Sequence, residues 1–322
     1  MRTRYSVALC TYNGARYIEE QLQSILAQTV KPSQIVVSDD GSTDHILDIV
    51  RDLLDSSNID CIITINEGEH GVVPNFLNAM RRCTCDVIFT SDQDDVWMQN
   101  KAEEMLKVFE TEQNAMLVLC DGELVDAELN SLNCTVWNAV GITPRRQQEQ
   151  EWFSYLLKVP LVTGAGMAIR RSLLDDVDTI PSAWLHDGWL GWAAVIRQGF
   201  RICPQSLFLY RQHVSNVEGM AAQNAFTRLI NWFANMKEME KMREIRFNRY
   251  DSLWQKWGQR FAPRQQQQLK QCRDFWCTLK ELKQRNMFAR IYIIIKMYRK
   301  GVYSRYYTGL RGMLRDIILC II

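Results

Sequence analysis

The chain has 322 residues, with 47% hydrophobic and 23% charged content, ordinary values for a globular protein and length enough for one large α/β domain plus an appendage. Its ten cysteines are scattered, and Cys83 and Cys85 form a lone Cys-x-Cys without the second pair that a zinc site needs. No apolar run approaches the roughly 18 residues that cross a bilayer, which excludes a membrane-spanning helix. Net charge is +1, yet residues 1–225 hold 17 Lys and Arg against 30 Asp and Glu, while residues 226–322 hold 21 against 7. Such asymmetry bears on partners, not on fold. Met1-Arg2-Thr3-Arg4 runs straight into an apolar strand with no signal peptide between, so the expected place is the reducing cytoplasm, with free thiols.

Tyr5 to Cys10 reads as an opening strand and Thr11-Tyr12-Asn13-Gly14 as the turn that ends it. Ile18, Leu22, Ile25 and Leu26 then recur at helical spacing through Gln28, until Lys31-Pro32 breaks the pattern. Ile35 to Ser38 is a second strand, and the unit is β-α-β, which implies a parallel sheet with right-handed crossovers. Ligands of such sheets bind beyond the carboxyl ends of the strands. Thr11-Tyr12-Asn13 lies at one such end and Asp39-Asp40-Gly41-Ser42-Thr43-Asp44 at the next. Ser42, Thr43 and Asp44 suit the start of a helix near His45. Asp39 and Asp40 precede that cap and repel one another. A carboxylate there can accept hydrogen bonds from a base or a ribose, and Asp40 is the better placed.

Cys61 to Ile65 is a third strand, Glu67 to Gly71 a turn, and Pro74 to Arg82 a helix. The apolar run Asp86 to Thr90 then enters Ser91-Asp92-Gln93-Asp94-Asp95-Val96-Trp97. Three carboxylates in four positions need a compensating charge, and a hard divalent cation is the usual one. Asp92 and Asp94 point to the same side of an extended backbone, so one can hold a metal while the other holds a neighbouring part of a ligand. Asn100 to Glu112 reads as a helix, and Ala115 to Cys120 as a strand ended by Asp121-Gly122.

Cys-Thr-Tyr-Asn-Gly at 10–14, Ser-Asp-Asp-Gly-Ser-Thr-Asp at 38–44 and Ser-Asp-Gln-Asp-Asp-Val-Trp at 91–97 together resemble the family 2 glycosyltransferases. The resemblance covers about residues 4–220. It implies an α/β fold of GT-A type, with a mostly parallel central sheet and a Rossmann-like N-terminal half. It also implies inverting, metal-dependent transfer from a nucleotide-diphospho-sugar. The third motif is most similar to bacterial rhamnosyltransferases of O-antigen and other surface polysaccharides, which makes dTDP-rhamnose the leading donor. The resemblance further implies that Tyr12, flanked by Thr11 and Asn13, lies against the base, which Asp40 hydrogen-bonds. Asp92 approaches the ribose or diphosphate, and Asp94 binds Mg2+ or Mn2+ on the diphosphate, with Asp92 beside it.

An inverting displacement needs a general base for the acceptor hydroxyl. Leu185-His186-Asp187-Gly188-Trp189 resembles the family's acidic motif beside the acceptor cleft, with Asp187 as the base and His186 as second candidate. Asp187 also suits the cap of an apolar helix Trp189 to Ile196. Val162 to Ala168 looks like the family's glycine-containing strand under the acceptor site, where close packing is the alternative reason for glycine. Tyr210-Arg211-Gln212-His213 resembles a segment after the family's last strand, from which Arg211 or His213 reaches the diphosphate and His213 is a candidate metal ligand, with a structural histidine as the alternative. The Gln-x-x-Arg-Trp signature of processive synthases is absent from the sequence, which points to addition of one sugar at a time.

The expected organisation is a catalytic domain at 1–225, with a donor half to about 125 and an acceptor half after it, followed by a helical, basic region at 226–322. Phe226 to Arg249 and Gln265 to Gln284 read as helices, and Met287 to Arg299 is apolar and aromatic, flanked by Arg290, Lys296, Arg299 and Lys300, with Tyr303, Arg305, Tyr306, Tyr307 and Arg311 following. Basic residues mixed with Tyr and Ile suit either a surface lying on anionic lipid or an appendage packed on the acidic half. A lipid-linked glycan acceptor would make contact with the inner face of the plasma membrane useful. No nucleic-acid-binding motif appears. The competing classes are a non-catalytic nucleotide-sugar or glycan-binding protein of the same fold and a transferase using a UDP- or GDP-sugar. The first requires a missing carboxylate, whereas Asp40, Asp92, Asp94 and Asp187 are all present.

Overall fold

The computed structural model describes residues 3–142, 152–159, 161–213 and 236–321. The chain divides into two compact units. The first comprises Met1–Gln150, Leu161–Ile180 and Trp184–Ala222, and the second Glu151–Pro160, Pro181–Ala183 and Gln223–Ile322. The boundary expected at 225 lies outside the described residues.

The first unit is built on one sheet. Strands β1 (Tyr5–Thr11), β2 (Gln34–Asp39), β3 (Asp60–Ile65) and β4 (Val87–Ser91) pair in parallel in the order β3-β2-β1-β4. Every residue of β1, β2 and β4 is buried. A sheet covered on both faces has no polar side to alternate with, which is why these strands read as continuous apolar runs. The intervening helices are α1 (Ile18–Leu26), α2 (Ile46–Asp55) and α3 (Val72–Arg82). Each buries an apolar stripe, as α2 does with Ile46, Val50 and Leu54 at four-residue spacing.

Past β4 the sheet becomes mixed. A two-residue β5 (Val96–Trp97) precedes α4 (Lys101–Thr111), β6 (Leu117–Val125), β7 (Ser131–Thr135) and a one-turn α5 (Val136–Ala139). β8 (Met167–Arg170) runs antiparallel to both β4 and β6. After α7 (His186–Ile196), β9 (Phe200–Arg211) pairs parallel to β6 and antiparallel to β5. β9 therefore returns its end, Tyr210-Arg211, to the edge where β4 opens into the acidic loop.

Four expectations are corrected here. β6 does not stop at Asp121-Gly122 but runs through both. Gly122 is there because a Cβ would meet the Phe208 ring at 2.5 Å. The stretch expected as a strand from Val162 is instead a 3₁₀ turn at Gly164–Gly166, and β8 starts only at Met167. A Cβ on Gly166 would lie 2.7 Å from the Cys120 carbonyl oxygen, so close backbone packing accounts for that glycine. Ser42 and Thr43 do not cap α2: the amide of Ile46 donates to Asp44 Oδ1 at 3.2 Å. Asp187 is not a cap either, because α7 already begins at His186 with Leu185 before it.

The second unit is helical: α6 (Trp152–Leu156), α8 (Met236–Trp257), α9 (Pro263–Glu281), α10 (Met287–Arg299), α11 (Val302–Tyr306) and α12 (Leu310–Ile321). The helix expected from Phe226 is described only from Met236. Aromatic packing centres on Phe275, which meets Trp276, Tyr303, Tyr306 and Tyr307. Residues 152–159 join this unit through Phe153 against Phe261 and through Tyr250 Oη, which donates to the Leu157 carbonyl at 2.8 Å. Asp316 is fully buried, accepting from Arg243 Nη2 at 2.6 Å and Tyr303 Oη at 2.7 Å. All ten cysteines are free thiols.

Candidate functional site

The loops leaving β1 and β2 are fastened to each other. Asp39 is buried and accepts from Thr11 Oγ1 at 2.7 Å, Ser42 Oγ at 2.6 Å, and the amides of Ser42 and Gly41 at 2.8 and 3.1 Å. These four donors answer the repulsion expected between Asp39 and Asp40. Asn13, at φ 48°, receives Thr43 N on its side chain at 2.8 Å and donates its own amide to Ser42 Oγ at 2.8 Å. Tyr12 stands between these anchors with its side chain 57% exposed. Asp40 accepts from Asn66 Nδ2 at 2.7 Å and Gly71 N at 2.8 Å, with His70 Nδ1 at 3.3 Å. Its carboxylate is thereby held in one orientation.

Gln93 ties the acidic loop to the same place. Its amide accepts from Tyr12 N at 2.8 Å and donates to Tyr12 O at 2.9 Å. Asp92 and Asp94 flank it. The Asp92 carboxyl is pushed up to about 7, first by burial, then by Asp94 and Asp187, with Lys101 opposing. Asp95 is buried, and its proton affinity rises well above the carboxylate range through burial and then through Asp94 and Asp92. Its Oδ1 accepts from Arg211 N at 3.2 Å, whereas Oδ2 is buried with no hydrogen-bond partner among the described residues.

Lys101 is the buried cation beneath this loop. Its Nζ donates to the Ala165 carbonyl at 2.6 Å and lies 4.1 Å from the Trp97 ring centre. Burial lowers its pKa to about 8 against the pull of Cys120, Asp95 and Asp92. It escaped sequence reasoning because it sits on an ordinary-looking helix. The available signal was its place in the first turn, where the helix dipole disfavours a cation.

Asp187 and His186 enter from α7. Asp187 Oδ2 accepts from Gly164 N at 3.1 Å and Oδ1 from Gly188 N at 2.5 Å. His186 is buried, stacks on Phe76 with ring centres 3.9 Å apart, and has no hydrogen-bond partner on either ring nitrogen among the described residues. Burial lowers its pKa to about 3, so it is neutral and a weak proton acceptor near pH 7. A Cβ on Gly164 would meet His186 Nε2 at 3.0 Å and Asp92 Oδ2 at 3.9 Å. The glycine turn thus leaves open the space where the two motifs face each other.

At the end of β9, His213 Nε2 lies 2.9 Å from Asp94 Oδ2 and its ring stacks on Tyr17. Arg211 is buried. Its Nε donates to the Asp94 carbonyl at 2.8 Å, Nη1 to the Ala127 carbonyl, and Nη2 to the Glu20 carboxylate. It also covers the Tyr17 ring at 4.7 Å. The arginine expected at the diphosphate holds the backbone of the acidic loop.

Among the described residues no group of three or more His, Cys, Asp or Glu side chains is arranged to hold a metal ion unaided. Asp94 and the imidazole of His213, 2.9 Å apart, are oxygen and nitrogen donors of the kind that Mg2+ or Mn2+ accepts. Burial and mutual repulsion push Asp92 and Asp95 toward their protonated forms, which fits a loop where a bound cation would take the place of those protons.

With this geometry in view, the comparisons with known proteins are decisive at the level of family. The sequence model of "Glycosyl transferase family 2" matches residues 6–178. An uncharacterized glycosyltransferase of Nostoc sp. is 29% identical over 232 residues, 68% of each chain. The dTDP-rhamnosyl transferase RfbG of Shigella flexneri is 27% identical over 234 residues, 66% of this chain and 73% of its own. Among solved structures, S. aureus TarS 1–349 in complex with UDP superposes with a TM-score of 0.58 at 14% identity, covering 99% of this chain and 89% of that one. The mannosyltransferase PcManGT of Pyrobaculum calidifontis gives 0.53 at 17% identity, covering 100% and 87%. The fold is the GT-A type α/β fold with a helical C-terminal region. The chain belongs to glycosyl transferase family 2 and is a nucleotide-sugar-dependent glycosyltransferase.

Proposed function

We propose that the chain is an inverting, metal-dependent transferase that moves a single rhamnose from dTDP-rhamnose to a hydroxyl of a growing bacterial surface glycan. In this reading the acceptor is linked to a lipid, and the enzyme works in the cytoplasm at the inner face of the plasma membrane. The observation that carries the transferase chemistry is the approach of the acidic loop and the start of α7 at Gly164: its amide donates to Asp187 Oδ2 at 3.1 Å, and a Cβ there would lie 3.9 Å from Asp92 Oδ2. The rhamnosyl assignment is supported by the relation to RfbG, and metal dependence by the donor set and by PcManGT, whose structure is described with GDP-Man and Mn2+.

Tyr12 offers its exposed ring to the base, with Thr11 and Asn13 fixing the turn, and Asp40 accepts from the base or ribose. Asp92 meets the ribose or diphosphate. Asp94, with Asp92 and His213, would hold Mg2+ or Mn2+, which when bound neutralises charge developing on the departing nucleoside diphosphate. Arg211 serves the donor by fixing the backbone that carries Asp94. Asp187 takes the proton of the acceptor hydroxyl as its oxygen bonds to the anomeric carbon from the face opposite the leaving diphosphate, so the configuration inverts. The neutral imidazole of His186, stacked on Phe76, does not compete for that proton.

Calorimetric titration with dTDP-rhamnose, UDP-sugars and GDP-sugars, each with and without Mn2+, tests this reading. Metal-dependent binding of dTDP-rhamnose is the expected result. Binding of a UDP- or GDP-sugar instead would keep the transferase and discard rhamnose. No binding of any donor would count against catalysis and favour a glycan-binding protein of the same fold.

A further inference from the structure

Among the described residues eight large hydrophobic side chains are exposed, and six of them lie on α10 and α12: Met287, Phe288, Tyr292, Leu310, Leu314 and Ile321. These helices pack beside each other but bury little themselves. Of the thirteen residues of α10 only Ile294 is buried, and of the twelve of α12 only Gly312 and Asp316. Phe288, Tyr292, Ile295 and Arg299 follow one another at helical spacing along α10, and Leu310, Leu314, Ile317 and Ile321 do the same along α12. Phe288 is 78% exposed, although a side chain of that size normally drives burial.

Charge says what covers this surface. From Met287 to Ile321 the chain carries seven Lys and Arg and one carboxylate, Asp316. Asp316 is turned inward to Arg243 and Tyr303, so no acidic side chain of this stretch faces outward. Lys296, Arg299, Lys300 and Arg311 are exposed. Apolar and aromatic side chains beside long cations, with no exposed carboxylate, match a bilayer interface: the rings enter the acyl boundary while the cations reach lipid phosphates. An interface between protein chains would be depleted in lysine.

We propose that α10 and α12 are the docking surface for an anionic lipid bilayer, lying in its interface without crossing it. Among the described residues no helix is long and apolar enough to cross a membrane. The proposal rests on the lipid-linked acceptor for its purpose and on these two helices for its evidence.

Flotation of the full chain with vesicles tests it, using phosphatidylcholine alone and phosphatidylcholine mixed with phosphatidylglycerol. Recovery with the mixed vesicles at low salt, falling about tenfold with neutral vesicles or in high salt, is the expected result. The pair Phe288→Ser and Leu314→Ser, and separately Lys296→Gln and Lys300→Gln, should each lower recovery about tenfold. Equal recovery with both vesicle types, or variants that float like the parent, would overturn the proposal. A parent that stays unbound but forms a dimer dissolved by the serine pair would overturn it in favour of an interface between copies. Donor titration on the same variants should be unchanged. If the parent binds vesicles but no donor, the function proposed above fails while the docking surface stands.

Discussion

Asp94 Oδ2 and His213 Nε2 lie 2.9 Å apart although 119 residues separate them in the chain. The contact joins the acidic loop after β4 to the end of β9, and Arg211 reinforces it by donating to the carbonyl of Asp94 itself. Asp94→Ala should therefore abolish metal-dependent donor binding. His213→Ala should weaken it by about 10–100-fold, the usual cost of removing a group that supports or shares a metal site. Calorimetric titration with Mn2+ present checks both. Parent-like binding by Asp94→Ala would remove the metal role from that carboxylate.

A second relationship involves a missing side chain. An added Cβ on Gly14 would lie 2.2 Å from Gln93 Cδ, inside the amide that exchanges two hydrogen bonds with Tyr12. Gly14→Ala displaces that amide, and Gln93→Ala removes it. Each should cost about 1–2 kcal/mol in stability, from two net hydrogen bonds, and each should weaken donor binding by loosening Tyr12. Because both act through one contact, the double variant should cost little more than either single one. Additive losses in denaturant titrations would show that Gly14 is needed for another reason.

The parallel half of the sheet was legible because β1, β2 and β4 are buried on both faces and so carry unbroken apolar runs. The strand-end carboxylates were legible for a related reason: polar residues in such strands are confined to the ends. What lay hidden depends on partners distant in sequence. Gly122 looks like a strand terminus until Phe208 is seen against it. Asp39 looks like a repelled neighbour of Asp40 until Thr11 and Ser42 are seen to satisfy it. Arg211 finds acceptors in three separate segments, so its hold on the loop could not be read from its own surroundings.

Asp187→Asn should separate binding from turnover. The amide keeps an acceptor for Gly164 N or Gly188 N, so the loop geometry survives, but it cannot take a proton. Donor affinity should stay within about twofold, while turnover to acceptor falls by about 10²–10⁴, the usual contribution of a positioned base. Single-turnover assays with saturating donor check this. Retained turnover would assign the proton to another group.

His186 makes a prediction about acid stability. Burial holds its pKa near 3, against about 6.5 in an unfolded chain. The unfolded state therefore binds a proton that the folded state refuses as pH falls below 6.5. The stability gained from keeping this ring neutral is complete above that pH and is lost progressively as pH falls toward 3. One pKa unit corresponds to about 1.4 kcal/mol, which sets a slope of that order per pH unit within the window. Asp92 acts in the opposite sense: its raised pKa, about 7, favours the fold at low pH and is lost as pH rises through that value. The parent curve contains both effects, so a comparison is needed. His186→Gln keeps the Asp92 contribution and cannot titrate at position 186. The stability of the parent relative to this variant should therefore fall steadily from pH 6.5 to pH 4.5, by about 1–2 kcal/mol in all, after solvent relaxation reduces the ideal slope. Denaturant titrations of both proteins at matched pH values measure it. Parallel curves would mean that the ring accepts a proton in place, through water or a shift of Phe76, and that its burial is not what holds it neutral.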